Sequence, residues 1–398
     1  MNFSQLTGNE GLFCDGDWIE KKDQDVNGNV RLIQLADIGE GTFKDKSSRY
    51  LTEDTARRLN CTFLQQGDIL IARLPDPLGR ACIFPLNGKF ITAVDIAILR
   101  IKDCAYNPRY VMYMVNSPQF RKEISRYESG TTRKRISRKN LDKIQFNMPD
   151  LSTQERIVSK IEELFSKLDA SVAELQTAKE KLKVYRQAVY SSVYEELCAL
   201  QPITNFFEIT GGLTKNSKRN ELPLQMPYLR VANVYYNHLD LSEIKEIGVT
   251  EQEIDRCLLE KNDLLFVEGN GSKAQIGRVA IWNGQIPKCL HQNHIVKGRP
   301  LGNMLSEYAL YYLISNEGRK QIVNIAKSTS GLYTLSTNKI KGLRVPYCDL
   351  NDQKRILDDV KEKLSVYDSI EHTIDTSLQQ AEALRQSILK QAFEGRLV

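Results

Sequence analysis

Apolar positions along the chain follow two different rhythms, and the rhythms alternate. Ile161, Leu168, Leu175, Leu182 and Val189 recur at seven-residue steps, with Leu164, Ala178 and Tyr185 filling a second seam position. Val360, Tyr367, Ile374, Ala381 and Ile388 keep the same step, flanked by Leu364, Leu378 and Leu384. An apolar heptad held this long predicts a helix whose seam packs on another helix, a coiled coil. Ser152 with Glu155 three residues later reads as a capping box, Asn351 reads as an N-cap, and Pro202 and Gly395 mark the ends. Two amphipathic helices packed separately on globular cores are the alternative, but that leaves their equal length unexplained. Elsewhere short β-type runs sit between Gly and Asn residues, followed by helical patterns near Pro108–Arg126 and Ser306–Ala326.

The two heptad segments are copies. Leu151-Ser-Thr-Gln154-Glu-Arg156-Ile157 returns as Leu350-Asn-Asp-Gln353-Lys-Arg355-Ile356, an offset of 199. The offset holds for Leu168-Asp169 against Tyr367-Asp368, Arg186-Gln187 against Arg385-Gln386, and Tyr194-Glu195 against Phe393-Glu394. A repeat free of insertions over this length is one continuous element. Upstream of each helix the repeat is weaker. Ile33–Ile38 matches Leu229–Val234, Gly67-Asp68 matches Asn262-Asp263, Gly79-Arg80 matches Gly277-Arg278, and Ser129-Gly130 matches Ser330-Gly331, with the offset drifting between 195 and 201. One fold with divergent loops is implied, and loops on a shared scaffold are where recognition lives.

The organisation expected is α+β: two heads over residues 1–150 and 200–349, and two helices over 151–199 and 350–398. A helix of residues 152–197 is about 65 Å long at about 1.5 Å per residue. The second head joins the end of one helix to the start of the next, so an antiparallel pair avoids a return crossing. That predicts a pseudo-two-fold rod with one head at each end.

Composition narrows this picture only slightly. The 398 residues are 41% apolar and 26% charged, enough for two cores and unlike a disordered chain. A net charge of +5 permits a polyanionic partner without demanding one. No basic segment followed by an apolar core opens the chain and no apolar run is long enough to span a bilayer, so a cytoplasmic protein without membrane contact is expected. The eight cysteines form no C-x-x-C pair and read as reduced cytosolic thiols. Cys289, His291 and His294 are close in sequence, but strand alternation spreads them and no second ligand cluster exists, so no metal site is expected.

Catalytic motifs are missing or imperfect. Asn107-Pro-Arg-Tyr110 is similar to the N-P-P-Y motif of adenine methyltransferases but departs at its third residue and follows no Gly-rich loop. Gly269-Asn-Gly271-Ser-Lys-Ala274 imitates a nucleotide loop, yet the corresponding Arg73-Leu-Pro-Asp-Pro-Leu-Gly79 has no such glycines. Basic residues do cluster: Gly130-Thr131-Thr132-Arg133-Lys134-Arg135-Ile-Ser-Arg138-Lys139 holds five cations and no acid. Its arginines can grip phosphate or guanine, and its threonines supply small donors. Further candidates for DNA contact are Arg73 and Arg80 in the first head, and Lys273, Gln275, Arg278, Gln292, Asn293, Ser330 and Tyr333 in the second.

These helical motifs carry a resemblance. Leu151-Ser-Thr-Gln-Glu-Arg-Ile157, running into Ile161–Asp169, resembles the first conserved helix of the specificity subunits of Type I restriction–modification systems, and Leu384–Leu397 resembles the close of the second. Gly16–Ile19, Arg31–Ile38 and Gly67-Asp68 resemble the family's target-recognition domains. The resemblance implies a non-catalytic subunit whose heads each read one half of a split, asymmetric site on double-stranded DNA. It implies that the helices hold two methyltransferase subunits, to which two restriction–translocation subunits can add. The chain itself then needs no cofactor, since S-adenosylmethionine, ATP and magnesium belong to those partners. A methylation-only complex and a structural coiled-coil adaptor are the alternatives, and the adaptor leaves the basic loop unexplained.

Overall fold

A computed structural model describes residues 1–192, 199–329 and 331–397 of the chain. In the first head, Leu12–Asp15, Ile96–Arg100, Ile69–Ala72 and Ala81–Ile83 lie in that order in one antiparallel sheet. Arg49–Leu51, Val30–Ile33 and Phe90–Thr92 form a second sheet whose last pairing is parallel. The second head repeats both sheets, with Phe207–Gly211, Ile295–Pro300, Leu264–Val267 and Val279–Ile281 in one and Lys245–Val249, Leu224–Leu229 and Leu290–His291 in the other. The α+β fold written twice is therefore what the chain adopts.

The central strands show why. Every residue of Ile69–Ala72 and of Leu264–Val267 is buried. Ile69 and Ile71 face one apolar cluster while Leu70 and Ala72 face another, and Leu264 and Phe266 alternate with Leu265 and Val267 in the same manner. A sheet covered on both faces needs such an unbroken apolar run. Each central strand is preceded by a buried aspartate held by a fork of two hydrogen bonds. Arg100 donates twice to Asp68 at 2.8 Å, and Arg299 donates to Asp263 at 3.1 and 3.0 Å.

By compactness the chain divides into 1–175 with 376–398, and 176–375, so each unit holds one head and part of both long helices, Leu151–Ser192 and Leu350–Phe393. In the second unit Lys179 meets Asp375 at 2.5 Å and Arg186 lies over the Tyr367 ring at 4.8 Å, a pairing that runs antiparallel. In the first, Arg385 pairs with Asp169 and lies over Phe165 at 4.4 Å. The seven-residue seam is buried at Ile161, Leu182, Val189, Val360, Tyr367, Ile374, Ala381 and Ile388. The second seam differs from expectation, because Ala178, Tyr185 and Leu384 are exposed. One narrow stripe per helix suffices for a two-helix contact.

Each long helix starts one residue before its predicted cap, at Leu151 and Leu350. Asp150 accepts the Thr153 amide at 3.0 Å, and Asp349 accepts the amides of Asn351 and Asp352 at 2.8 and 3.0 Å, so these aspartates are the caps. Bonds from the Ser152 hydroxyl and from Thr153 pull the Asp150 carboxyl down to about 2. The repeated glutamine of the motif is fully buried in both copies. Gln154 accepts from the Asn107 amide at 2.8 Å and donates to the carbonyls of Ala105 and Pro149. Gln353 does the same with Leu305, Asn303 and Cys348. Both amides satisfy main-chain groups only, so they fasten helix to head without regard to the head's side chains.

The helical stretches predicted at Pro108–Arg126 and Ser306–Ala326 are each two helices. Ser117 and Ser315 sit in extended backbone between them and cap the second by accepting from the amides of Phe120 and Gly318. Asn107 caps the first helix by accepting from Arg109 and Tyr110, which accounts for the methyltransferase-like tetrapeptide as a helix start.

Candidate nucleic-acid interface

In both heads the same three segments converge: the end of the central strand, the turn before the last sheet strand, and the loop entering the final short helix. In the first head the loop is tied down at its edges. Ser129 and Arg135 form an isolated bridge, and the buried Ile136 sends its amide to the Arg73 carbonyl at 3.1 Å. Gly130 turns the chain at φ +95°, where a Cβ would stand 2.5 Å from the Arg133 carbonyl oxygen. Thr131, Thr132, Arg133, Lys134 and Arg135 are left exposed between these anchors.

Their charges are not equally available. Arg73 pairs with Asp15 at 3.2 Å and donates to the Val94 carbonyl, and Arg138 shares the same carboxylate at 3.4 Å. Lys134 pairs with Glu128 at 2.5 Å. Among the described residues no carboxylate lies within 4.0 Å of Arg133, Arg135 or Lys139. The unpaired arginines Arg133 and Arg135, together with Lys139, carry the free positive charge of this face. Replacing both by alanine should lower the salt slope of DNA binding, log K against log salt, by about 2. Lys134→Ala should change it less. Titrations between low and physiological salt measure this, and an unchanged slope would show a merely solvated loop.

Arg80 and Arg278 need correction as DNA contacts. Both are buried. Arg80 gives its N–H groups to the carbonyls of Ile38, Leu74, Pro77 and Leu35, and Arg278 donates to Val231 and lies over the Tyr235 ring at 4.9 Å. Each is a strut beneath the neighbouring three-residue turn, Arg80 through four contacts to carbonyls and Arg278 through one, its buried Nε being left without a partner.

The second head presents a different chemistry on the same scaffold. Leu335 sends its amide to the Glu268 carbonyl, the counterpart of Ile136 and Arg73. Gly269 and Asn270 pair with Thr334 and Tyr333, which places Tyr333 beside Asn270. Lys273 and Gln275 are exposed in the adjoining turn, and Gln292 and Asn293 are half-buried. Ser330 lies outside the described residues. His294, exposed, stands 3.3 Å from Glu268. Sequence reasoning did not name Glu268, Asn270 or His294 for DNA contact, having weighed His294 only as a metal ligand and Asn270 only within a nucleotide-like loop. Their signal was position, since Glu268 and His294 align with Arg73 and Asp95 of the first head.

Beside this face His291 is fully buried. Its Nδ1 lies 2.8 Å from the Ile295 carbonyl while Nε2 has no partner. Burial drives its pKa down to about 3, helped by Lys297, Arg256 and Arg299. The unfolded ring protonates near 6.5, so unfolding takes up a proton and stability falls as the pH drops from about 6.5 toward 3. The loss reaches about 2 kcal/mol by pH 5. His291→Asn keeps a donor for Ile295 and should flatten that slope over the same range. An equal slope in protein and variant, measured by denaturation, would remove His291 as its origin.

Comparison with known proteins places these features. A family model described as Type I restriction modification DNA specificity domain matches residues 13–180 and 200–380. The chain is similar to the Type I restriction enzyme EcoKI specificity subunit of Escherichia coli K12, 28% identical over 308 residues, covering 72% of this chain and 65% of that one. It is also similar to the StySPI specificity subunit of Salmonella potsdam, 26% identical over 307 residues, covering 73% and 66%. The match thus spans just under two thirds of each curated relative. The fold is shared with a chain from a structural study of complex assembly and conformational transition of the type I R-M system, with TM-score 0.72, 15% identity and coverage of 100% and 97%. It is shared too with the HsdS subunit from Thermoanaerobacter tengcongensis, with TM-score 0.53, 14% identity and coverage of 98% of both.

Proposed function

Because this chain belongs to the family of Type I restriction–modification DNA specificity proteins, we propose that it is the DNA-recognition subunit of such a system. Each head reads one half of a bipartite, asymmetric site, and catalysis resides in partner subunits. One observation carries this reading: the two heads share their two main sheets, the arginine struts and the glutamine joints, yet carry unlike side chains on the face where three loops converge. A face of Arg133 and Arg135 suits phosphate and guanine, whereas Asn270, Gln292 and Asn293 offer the amides that pair with adenine. Two heads with unlike faces suit an asymmetric target.

The partners proposed are double-stranded DNA, two methyltransferase subunits and two restriction–translocation subunits. S-adenosylmethionine, ATP and magnesium are assigned to the partners. Val184, Tyr185, Val366 and Ile370 support a docking role for the helices, being large apolar side chains left exposed on them. No helix among the described residues is long and apolar enough to cross a membrane. The proposed site of action is the cytoplasm, where the chromosome is. Mapping methylated adenines in the host genome with and without this gene tests the proposal. A split motif that vanishes with the gene is expected, and an unchanged methylation map would overturn it.

A further inference from the structure

Both units contain an equivalent polar junction where a long helix meets its head, and they neutralise it differently. In the first unit Arg121 pairs with Glu40 at 3.2 Å, and the Gln386 amide donates to the same carboxylate at 3.3 Å. Arg385, the residue before Gln386, pairs with Asp169. The internal repeat puts Arg319, Gln187 and Arg186 at the corresponding places of the second unit, with Tyr236 where Glu40 stands. Arg319 lies over the Tyr236 ring at 5.0 Å and donates to the Gly277 carbonyl at 3.1 Å. Among the described residues no carboxylate lies within 4.0 Å of Arg186 or Arg319. Asp368, with Arg186, lines an adjoining hollow without forming an ion pair. Gln187 keeps a buried Oε1 with no partner, and its amide turned over would offer an N–H as Gln386 does. Arg186, Gln187, Tyr236 and Arg319 enclose, with Tyr190 and Asn237, a cavity of about 470 Å³.

We propose that this cavity is a carboxylate-binding site, entered by an acidic side chain of the methyltransferase partner. The precedent is internal, since Glu40 fills the corresponding place from within the chain. Two guanidinium groups and an amide present the planar donors that a carboxylate accepts. A protein supplies the carboxylate because the same helix that brings Arg186 and Gln187 also exposes Val184 and Tyr185, large apolar side chains in the residues just before Arg186. The inference rests on the functional reading above and adds a residue-level contact to it.

Two experiments test it with the full chain. The first titrates acetate, and inorganic phosphate in parallel, into protein with labelled arginine Nε–H groups. Acetate should give saturable shifts at Arg186 and Arg319, abolished by Tyr236→Glu, which places the carboxylate inside. The second measures recruitment of the methyltransferase subunit of the same system. Tyr236→Glu and Arg186→Ala, which among the described residues removes a stacking contact with Tyr367 and no side-chain hydrogen bond, should each weaken it at least about tenfold. Acetate shifts with unweakened recruitment in both variants would overturn the site's role in docking. Preference for phosphate, with DNA binding falling instead, would overturn the carboxylate assignment in favour of a phosphodiester. Should the unaltered chain recruit no methyltransferase, the functional reading itself fails, and the acetate titration still decides the chemistry of the cavity.

Discussion

Exchanging residues 1–150 for the matching segment of a related family member should replace one half of the recognised sequence and leave the other untouched. The joint explains why such a graft can fold. Gln154 binds the main chain at Asn107, Ala105 and Pro149, and Gln119 binds the Lys390 carbonyl at 2.7 Å. Any head with the same backbone offers Gln154 equivalent partners. Beyond the side-chain pairs Arg109–Glu162 at 2.6 Å and Gln386–Glu40 at 3.3 Å, the contact is apolar, with Tyr110 meeting Phe393 edge-on at 5.2 Å in the cluster that holds Ile157, Val158 and Ile161. Apolar swaps of similar volume there cost less than about 1.5 kcal/mol. The loops that differ, around 73–79 and 129–135, share no residue with this joint. Each mismatched base pair costs about 1–3 kcal/mol, so losing a few of them should lower affinity for the original site on the order of a thousandfold. The readout is the methylated motif before and after exchange. A change in both halves would mean that the heads are coupled through the helices.

How much of this was legible in the sequence follows from what a repeat preserves. The helices were legible because a long apolar heptad has few other solutions, and the constant offset located the joint glutamine. The caps were not. Asp150-Leu-Ser and Asp349-Leu-Asn each offer two residues able to cap, and only backbone geometry chooses. The second seam failed for a similar reason, since a heptad pattern names both flanks of a stripe while two helices bury the stripe alone. Among the candidate contacts, Arg80 and Arg278 drew notice as cations beside a repeated glycine. Repetition was the warning. A residue kept in both heads serves what the heads share, which is the scaffold, whereas readers of two different half-sites sit where the copies disagree. Glu268 and His294 sit at such positions and carry no motif, so only the sheet that aligns them with Arg73 and Asp95 reveals them.

The repeated aspartate–arginine fork shows how much the scaffold depends on such shared residues. Arg299→Met should destabilise the second head by about 3–5 kcal/mol, because it strands Asp263. That carboxylate is fully buried, and without Arg299 only the Glu260 amide at 2.8 Å remains to it as a hydrogen-bond donor among the described residues. Arg299 also closes the turn before the strand, donating to the Leu258 carbonyl at 2.7 Å. Asp263→Leu leaves a milder defect, since the arginine is partly exposed and keeps Glu260 at 2.8 Å. The double variant Arg299→Met with Asp263→Leu should recover part of the loss, since it removes the stranded carboxylate and leaves the buried Lys297 ammonium held by the Arg256 and Leu258 carbonyls. Two compact units need not unfold together. Hydrogen exchange at the strands Leu264–Val267 and Ile295–Pro300 therefore gives a better measure than a single melting curve. Faster exchange there, with Ile69–Ala72 unchanged, is the expected result for the single arginine variant. If the double variant is no more protected than the single one, the fork's contribution is the packing of the arginine stem rather than the pairing of buried charge.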